Sequence, residues 1–222
     1  MTEIVIIGRN EGWCASDMLA RLPKEWTVRY VADRCTDDTI STLERYGNVD
    51  IIDTTPFGLE GRQTSFCRNL GLSACDAASD VLFLDGDRYP VEGSIEDAIA
   101  GRRKDTEILL LPLFEDARTD EFVQENYGKV INGFYSCGVW LCRDTIDKVL
   151  AFQGGKQLFR EDMQSMWGIE DTYLGDVCFH LGRIVELSDK VRLRGRFEKN
   201  RLDSLDALEK RFIERDKLNV VW

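Results

Sequence analysis

Short apolar runs alternate with amphipathic stretches through the first half of the chain. "EIVIIG" reads as a buried strand, and "WCASDMLARLP" follows with Met18, Leu19 and Leu22 at helical spacing until Pro23 stops it. "WTVRYVAD" is the next predicted strand. "TDDTISTLERYG" then places Ile40, Leu43 and Tyr46 on one helical face and ends on Gly47. "VDIIDT" predicts a third strand. A helix is expected from Glu60 to Ala78, with Phe66, Leu70 and Ala74 in one stripe. "DVLFLDGD" is a continuous apolar strand of the kind buried on both faces of a parallel sheet. Repeated strand–helix units of this sort predict a doubly wound, mostly parallel α/β sheet flanked by helices.

The second half is less regular. "TEILLLPLF" reads as one strong strand and "SCGVWLCR" as another, before a short helix from about Asp144 to Phe152. "GIEDTYLGDVCFHLG" predicts a helix that starts beside an acidic pair, and "RIVEL" a strand after it. The tail "SLDALEKRFIERDKL" is amphipathic, with Leu205, Leu208, Phe212 and Ile213 on one helical face. No repeat, low-complexity segment or Pro/Gly/Ser linker interrupts the 222 residues, so a single α/β domain is expected.

Composition narrows the functions open to such a domain. Hydrophobic residues make up 43% of the chain and aromatics 10%, enough for a packed interior. Forty acidic against 29 basic residues give a net charge of −11, which argues against general nucleic-acid or anionic-membrane binding as the primary role. No apolar run reaches membrane-spanning length and no signal-peptide pattern is present, so a soluble, cytoplasmic protein is expected. The seven cysteines, at 14, 35, 67, 75, 137, 142 and 178, are odd in number and lack CxxC spacing. Reduced, structural thiols are expected, with Cys67, Cys75 and Cys178 on buried helices. The single His180 removes most Ser-His-Asp and Cys-His mechanisms, and reads as structural.

Ligands of doubly wound sheets bind at the carboxyl ends of the strands. Four polar clusters fall at those ends: "GRNEG" (Gly8 to Gly12), "ADRCTDDT" with Asp33, Asp37 and Asp38, "DGDRYP" with Asp85 and Asp87, and "MWGIEDTYLG" with Glu170 and Asp171. Neither GxGxxG nor a P-loop occurs. Asp85 and Asp87, at i and i+2 in an extended segment, point the same way and suit a divalent cation shared with substrate phosphates. A plain polar turn fits the same residues. Asp33 can accept a nucleobase N–H, while the plainer reading is that Thr36 or Asp37 caps the following helix and the acids complement its dipole. Glu170 and Asp171 either favour a helix start or supply one general base beside Trp167, whose ring would pack on the apolar face of a sugar.

These clusters, in this order, resemble the family 2 glycosyltransferases of the GT-A fold. The family pattern of a strand followed by N-E corresponds to "VIIGRNEG", "VDDGSTDGT" to "VADRCTDDT", and "GKAAARNxGL" before a D-x-D strand to "GRQTSFCRNLGLSACDAASDVLFLDGD". "GGF" and "WGxED-DL" correspond to "GGKQLF" and "WGIEDTYLG", an element also similar to the galactosyltransferase-like branches of the fold. The match runs from about residue 3 to residue 187. It implies a nucleotide-sugar-binding half over about 1–105, an acceptor and catalytic half over about 106–190, and a basic segment with a C-terminal helix over 191–222.

The resemblance implies an inverting transfer of a sugar from a nucleotide-diphosphate sugar, UDP-linked by preference, to an acceptor hydroxyl. Asp33 would contact the base, and Arg62 and Arg68 the diphosphate or the base. Asp85 and Asp87 would hold donor and metal (Mn²⁺ or Mg²⁺), Gly138 would line the sugar pocket, Glu170 would bind hydroxyls, and Asp171 would act as catalytic base. The acceptor is left open among glycan, protein, small molecule and, less readily, nucleic acid, with specificity expected in the loops Phe114–Tyr135 and Phe152–Met166. One departure bears on the metal. The late histidine that completes the metal site in many members is missing from "SDKVRLRGRFEKNR". Arg192, Arg194 and Arg196 alternate there, and could neutralise the diphosphate, contact a polyanionic acceptor, or form a solvated edge. Strict metal dependence is therefore in question. A sugar-1-phosphate nucleotidyltransferase and a nucleotide-sugar-binding module without turnover are the alternatives.

Overall fold

The apolar runs pair as strands of one sheet because each must bury two faces at once. The computed structural model describes residues 1–61, 63–114, 137–155, 157–163 and 169–194. Ten strands are described: β1 (Thr2–Gly8), β2 (Val28–Ala32), β3 (Val49–Asp53), β4 (Asp80–Asp85), β5 (Pro90–Gly93), β6 (Ile108–Leu110), β7 (Leu113–Phe114), β8 (Gly138–Leu141), β9 (Val185–Leu187) and β10 (Val191–Arg194). Six helices accompany them: α1 (Gly12–Ala20), α2 (Thr39–Leu43), α3 (Thr64–Ser73), α4 (Ile95–Ala100), α5 (Arg143–Phe152) and α6 (Ile169–His180).

The main sheet has seven strands in the order β3-β2-β1-β4-β8-β6-β9. β1 lies parallel between β2 and β4, with Ile6 opposite both Tyr30 and Leu84. The sheet is mostly parallel, as expected, but β8 runs antiparallel between β4 and β6. Alternation along β1 divides the core. Ile4 and Ile6 pack with Met18, Tyr30, Leu82 and Trp140 on one face, and Val5 packs with Phe83, Val149 and Leu174 on the other. Fully burying an aliphatic or aromatic side chain of this kind is worth about 1.5–3 kcal/mol. α3 can lie close on β1 and β2 because Gly71 has no side chain; a Cβ there would meet Val5 Cγ1 at 2.4 Å.

Two sequence expectations are corrected, and two elements were not expected. "TEILLLPLF" is not one strand: Pro112, which lacks an N–H, ends β6, and β7 joins a separate three-stranded sheet in the order β5-β10-β7. The helix expected over Glu60–Ala78 spans only Thr64–Ser73, since Gly61 sits at φ +66, outside the helical region. β5 and α4 carry no expectation at all, although Ser94 caps α4 by accepting the Asp97 N–H at 3.2 Å. The tail helix over residues 204–218 lies outside the described residues.

Candidate active site

The parallel strands β1, β2 and β4 all end on one rim, and the loops leaving them are bonded together. The Asp33 N–H donates to Gly8 O at 2.8 Å, and the Gly86 N–H to Ile7 O at 2.7 Å. Close approach at this rim depends on two glycines. A Cβ on Gly8 would lie 2.1 Å from the Tyr30 hydroxyl, and one on Gly86 would lie 2.7 Å from that hydroxyl and 3.1 Å from Glu11 Cγ. Asn10, at φ 61, adds a clasp by accepting the Thr36 N–H at 2.8 Å. Asp37 completes it: its carboxylate accepts from Gly12 N, Thr39 N and Thr39 Oγ. Burial works to raise the Asp37 carboxyl, but these hydrogen bonds outweigh it and the net shift is downward. Asp37 is thus occupied in joining two loops rather than in the expected capping, since the N-cap of α2 is Asp38, with no side-chain cap bond.

The rim encloses a cavity of about 610 Å³ lined by Glu11, Asp33, Arg34, Asp85, Asp87 and Arg88, among others. Three of the four polar clusters read from the sequence therefore meet in one concavity. Each of its aspartates has an arginine neighbour. Arg34 grips Asp33 with two bonds, Nε to Oδ1 at 2.7 Å and Nη2 to Oδ2 at 2.9 Å. Asp87 Oδ1 lies 3.4 Å from Arg88 Nε, and Asp85 Oδ1 accepts from Arg68 Nη2 at 2.8 Å.

Arg34 and Glu11 had no role assigned from sequence. Arg34 occupies the position of a glycine in "VDDGSTDGT", and its φ of 51 shows why glycine suits that place. The strain is held by four contacts: the Asp33 pair, the Thr54 hydroxyl on its N–H, and the carbonyls of Leu59 and Gly61 at 2.7 Å each. Glu11 belongs to the "N-E" pair of the first cluster. Burial, followed by the negative charge of Asp87, pushes its carboxyl up to about 7, against the bond it accepts from Trp13 Nε1 at 2.9 Å. Cys67 also lines the cavity, but burial raises its thiol to about 12, so it is not a thiolate at neutral pH. All seven cysteines are free.

The second-half acids come in from one side. α6 begins at Ile169, so Glu170 and Asp171 occupy its first turn, where acids complement the helix dipole. Both lie 3.7 Å from Arg68 Nη1, through Glu170 Oε1 and Asp171 Oδ1. Glu170 is 1% exposed and also accepts the Thr64 hydroxyl at 3.1 Å. Expected to bind hydroxyls, its carboxylate is turned inward instead. Arg68, expected to face the donor, is 3% exposed and is not among the residues lining the cavity. Gly138 opens β8 under Leu111 and Leu193, where a Cβ would sit 2.9 Å from each. Packing thus accounts for that glycine, which does not line the cavity.

Among the basic residues of the late segment, Arg192 lies 3.7 Å from Glu92, away from the cavity. Arg194 turns the other way. Its guanidinium lies 5.4 Å from the Trp13 ring centre and 5.5 Å from that of Tyr89, whose hydroxyl accepts a bond from it. Its positive charge is felt at Asp87. Arg62, Trp167 and Arg196 lie outside the described residues, as do residues 115–135, 156 and 164–166 of the two loops expected to set specificity. His180 ends α6 with its ring 5.4 Å from that of Phe152.

The oxygen ligands of Asp85 and Asp87 suit a hard divalent ion. No group of three or more His, Cys, Asp or Glu placed to hold a metal occurs among the described residues. Asp85 and Asp87 could supply at most one or two carboxylate ligands to such an ion.

No protein-family model matches the sequence, and no curated protein matches it significantly. Solved structures do. Staphylococcus aureus TarS (residues 1–349) superposes with a TM-score of 0.62 at 20% identity, over 87% of this chain and 60% of that one. The mannosyltransferase PcManGT of Pyrobaculum calidifontis, in complex with GDP-Man and Mn²⁺, gives 0.61 at 16% identity, over 95% and 60%. Glucosyl-3-phosphoglycerate synthase of Mycobacterium tuberculosis, in complex with Mn²⁺, UDP and glucosyl-3-phosphoglycerate, gives 0.53 at 14%, over 94% and 75%. This chain has the GT-A fold. It spans about 60% of the length of the first two of these structures. In the GT-A chain, no helix of the described residues is long and apolar enough to cross a membrane.

Proposed function

We propose that the chain is an inverting glycosyltransferase that moves a sugar from a nucleotide-diphosphate sugar to an acceptor hydroxyl. The observation that carries this reading is the meeting of the strand-end acids Asp33, Asp85 and Asp87 in one cavity, with Asp171 joined to Asp85 through Arg68. The ligands bound in two of the structural neighbours, GDP-Man with Mn²⁺ and UDP with Mn²⁺, are of the class that such a cavity would take. Among donors, a UDP-sugar is preferred. The seven free thiols support a reducing, cytoplasmic setting.

Asp33 and Arg34 line the base end of the cavity, offering acceptor and donor groups side by side. Asp85 and Asp87 would hold a divalent ion, Mn²⁺ or Mg²⁺, which when bound offsets charge on the leaving diphosphate. Arg88 and Arg194 bring fixed positive charge to the same end, so the reaction has a second source of charge stabilisation. Asp171 takes the proton of the acceptor hydroxyl as that oxygen bonds to the anomeric carbon. The bond from that carbon to the diphosphate oxygen breaks, and its electron pair leaves with the diphosphate. Attack from the face opposite the leaving group inverts the carbon.

Asp171→Asn tests the assignment. The variant should lose turnover by about 10²-fold or more, the usual worth of general-base help, while binding nucleoside diphosphate like the wild type. Loss of diphosphate binding together with turnover would place Asp171 in the donor site instead.

A further inference from the structure

Arg68 has almost no contact with solvent, yet it is the point through which the two halves of the site meet. It projects from α3. One end of its guanidinium donates to Asp85 Oδ1 at 2.8 Å, at the end of β4. The other terminal nitrogen lies 3.7 Å from Glu170 Oε1 and 3.7 Å from Asp171 Oδ1, in the first turn of α6. Its face rests 5.4 Å from the ring centre of Phe159. Nε and Nη1 have no hydrogen-bond partner among the described residues. A charge buried this deeply is retained only against opposite charge, and three carboxylates supply it. Burial alone would lower the proton affinity of Arg68; Asp171, Asp85 and Glu170 outweigh that and raise it, so the group stays charged.

Neighbouring contacts fix the same junction. Thr64, four residues earlier on α3, bonds Glu170. Asn69, the next residue, donates to Phe159 O at 2.8 Å and Glu161 Oε1 at 3.0 Å, and accepts the N–H groups of Leu158 and Phe159. One helix of the first half thereby holds the segment over Leu158–Glu161 and the start of α6.

We propose that Arg68 is a positioning residue that sets the general base relative to the donor site, by drawing Asp85 from one side and Asp171 with Glu170 from the other. The proposal rests on the glycosyltransferase reading above. It takes Arg68 out of ligand contact and gives it a task that needs a fork. A guanidinium can face two directions at once, whereas a lysine ammonium is a point charge on a flexible stem. Three carboxylates around one cation would repel one another without it, and the base would lose its fixed distance from the reacting carbon.

Arg68→Lys is the test, because it keeps the charge and removes the fork. Hydrolysis of UDP-glucose and GDP-mannose with Mn²⁺, and binding of UDP and GDP, are measured for both proteins. The expected result is a kcat lower by about 10²-fold with the diphosphate Kd unchanged. Wild-type kcat in Arg68→Lys would overturn the proposal, since charge alone would then suffice. A weakened Kd with unchanged kcat would also overturn it, by making Arg68 a ligand contact. A second measurement needs no substrate. Urea unfolding of Arg68→Lys, Asp171→Asn and the double variant should show coupling, with the unfolding constant departing from the product of the single effects by more than about twofold. Additivity would overturn the proposal. If the wild type turns over neither sugar nucleotide while coupling is present, the functional reading fails and the Arg68 bridge stands.

Discussion

Glu11 shows how much of the site is decided by single side chains. Its carboxylate is held by Trp13 Nε1 yet pressed by burial and by Asp87, and its carboxyl rises to about 7. A carboxyl that binds its proton more tightly folded than unfolded works against the fold as pH rises. Between its ordinary 4.5 and about 7 the native state binds more protons than the unfolded state, so the Glu11 contribution to stability falls across that window and levels off above it. Glu11→Gln removes this dependence. Urea unfolding should find the variant gaining on the wild type from pH 5 to pH 7.5; a constant difference would mean that Glu11 is ionised throughout. Glu11 was within reach of sequence reasoning, as half of the "N-E" pair, but its role depends on a neighbour 76 positions away. Arg34 was further out of reach. The alignment puts it at a glycine position, but its φ of 51 and its two bonds to Asp33 are visible only in the structure.

At the scale of elements, the legible parts were those whose patterns follow from burial alone. β1 to β4 are continuous apolar runs, and helical stripes marked α1, α2 and α5. Illegible parts depend on backbone detail or on pairing across long separations. Pro112 divides an apolar run that would otherwise have been one strand, and its carbonyl instead accepts the Leu193 N–H at 2.8 Å. β5 (Pro90–Gly93) has no alternation and is a strand only because β10 (Val191–Arg194) pairs with it. α3 gives a direct test of close packing. Gly71→Ala adds helix propensity worth up to about 1 kcal/mol but drives a Cβ to 2.4 Å from Val5 Cγ1 and 3.1 Å from Val31 Cγ2. Overpacking typically costs about 1–3 kcal/mol, so the variant should be destabilised by about 1–2 kcal/mol in urea unfolding. A stabilised variant would show that α3 can move off the sheet freely. Since α3 also carries Thr64, Arg68 and Asn69, the same displacement should reduce turnover.

For the whole molecule, a mostly parallel sheet brings loops distant in sequence to one rim, and that convergence, more than any single motif, points to function. Acidic clusters near residues 11, 33, 85 and 171 are unremarkable turns when read separately. The fold puts Glu11, Asp33, Asp85 and Asp87 around one cavity, and Arg68, which bonds Asp85, lies 3.7 Å from Asp171. Within a chain of net charge −11, Arg34 and Arg88 bring positive charge to the cavity lining. Binding of a nucleoside diphosphate is therefore the central claim, and calorimetric titration with UDP, GDP, dTDP and CDP, each with and without Mn²⁺, tests it most directly. One diphosphate should bind the wild type at a single site, more tightly with Mn²⁺, and the Mn²⁺ gain should vanish in Asp85→Asn/Asp87→Asn. Ligand at about 100 times its Kd should also stabilise the fold by about 2.7 kcal/mol. Absence of binding across all four, or binding that is indifferent to Asp33, Asp85 and Asp87 substitution, would contradict the assignment of this cavity as a donor site.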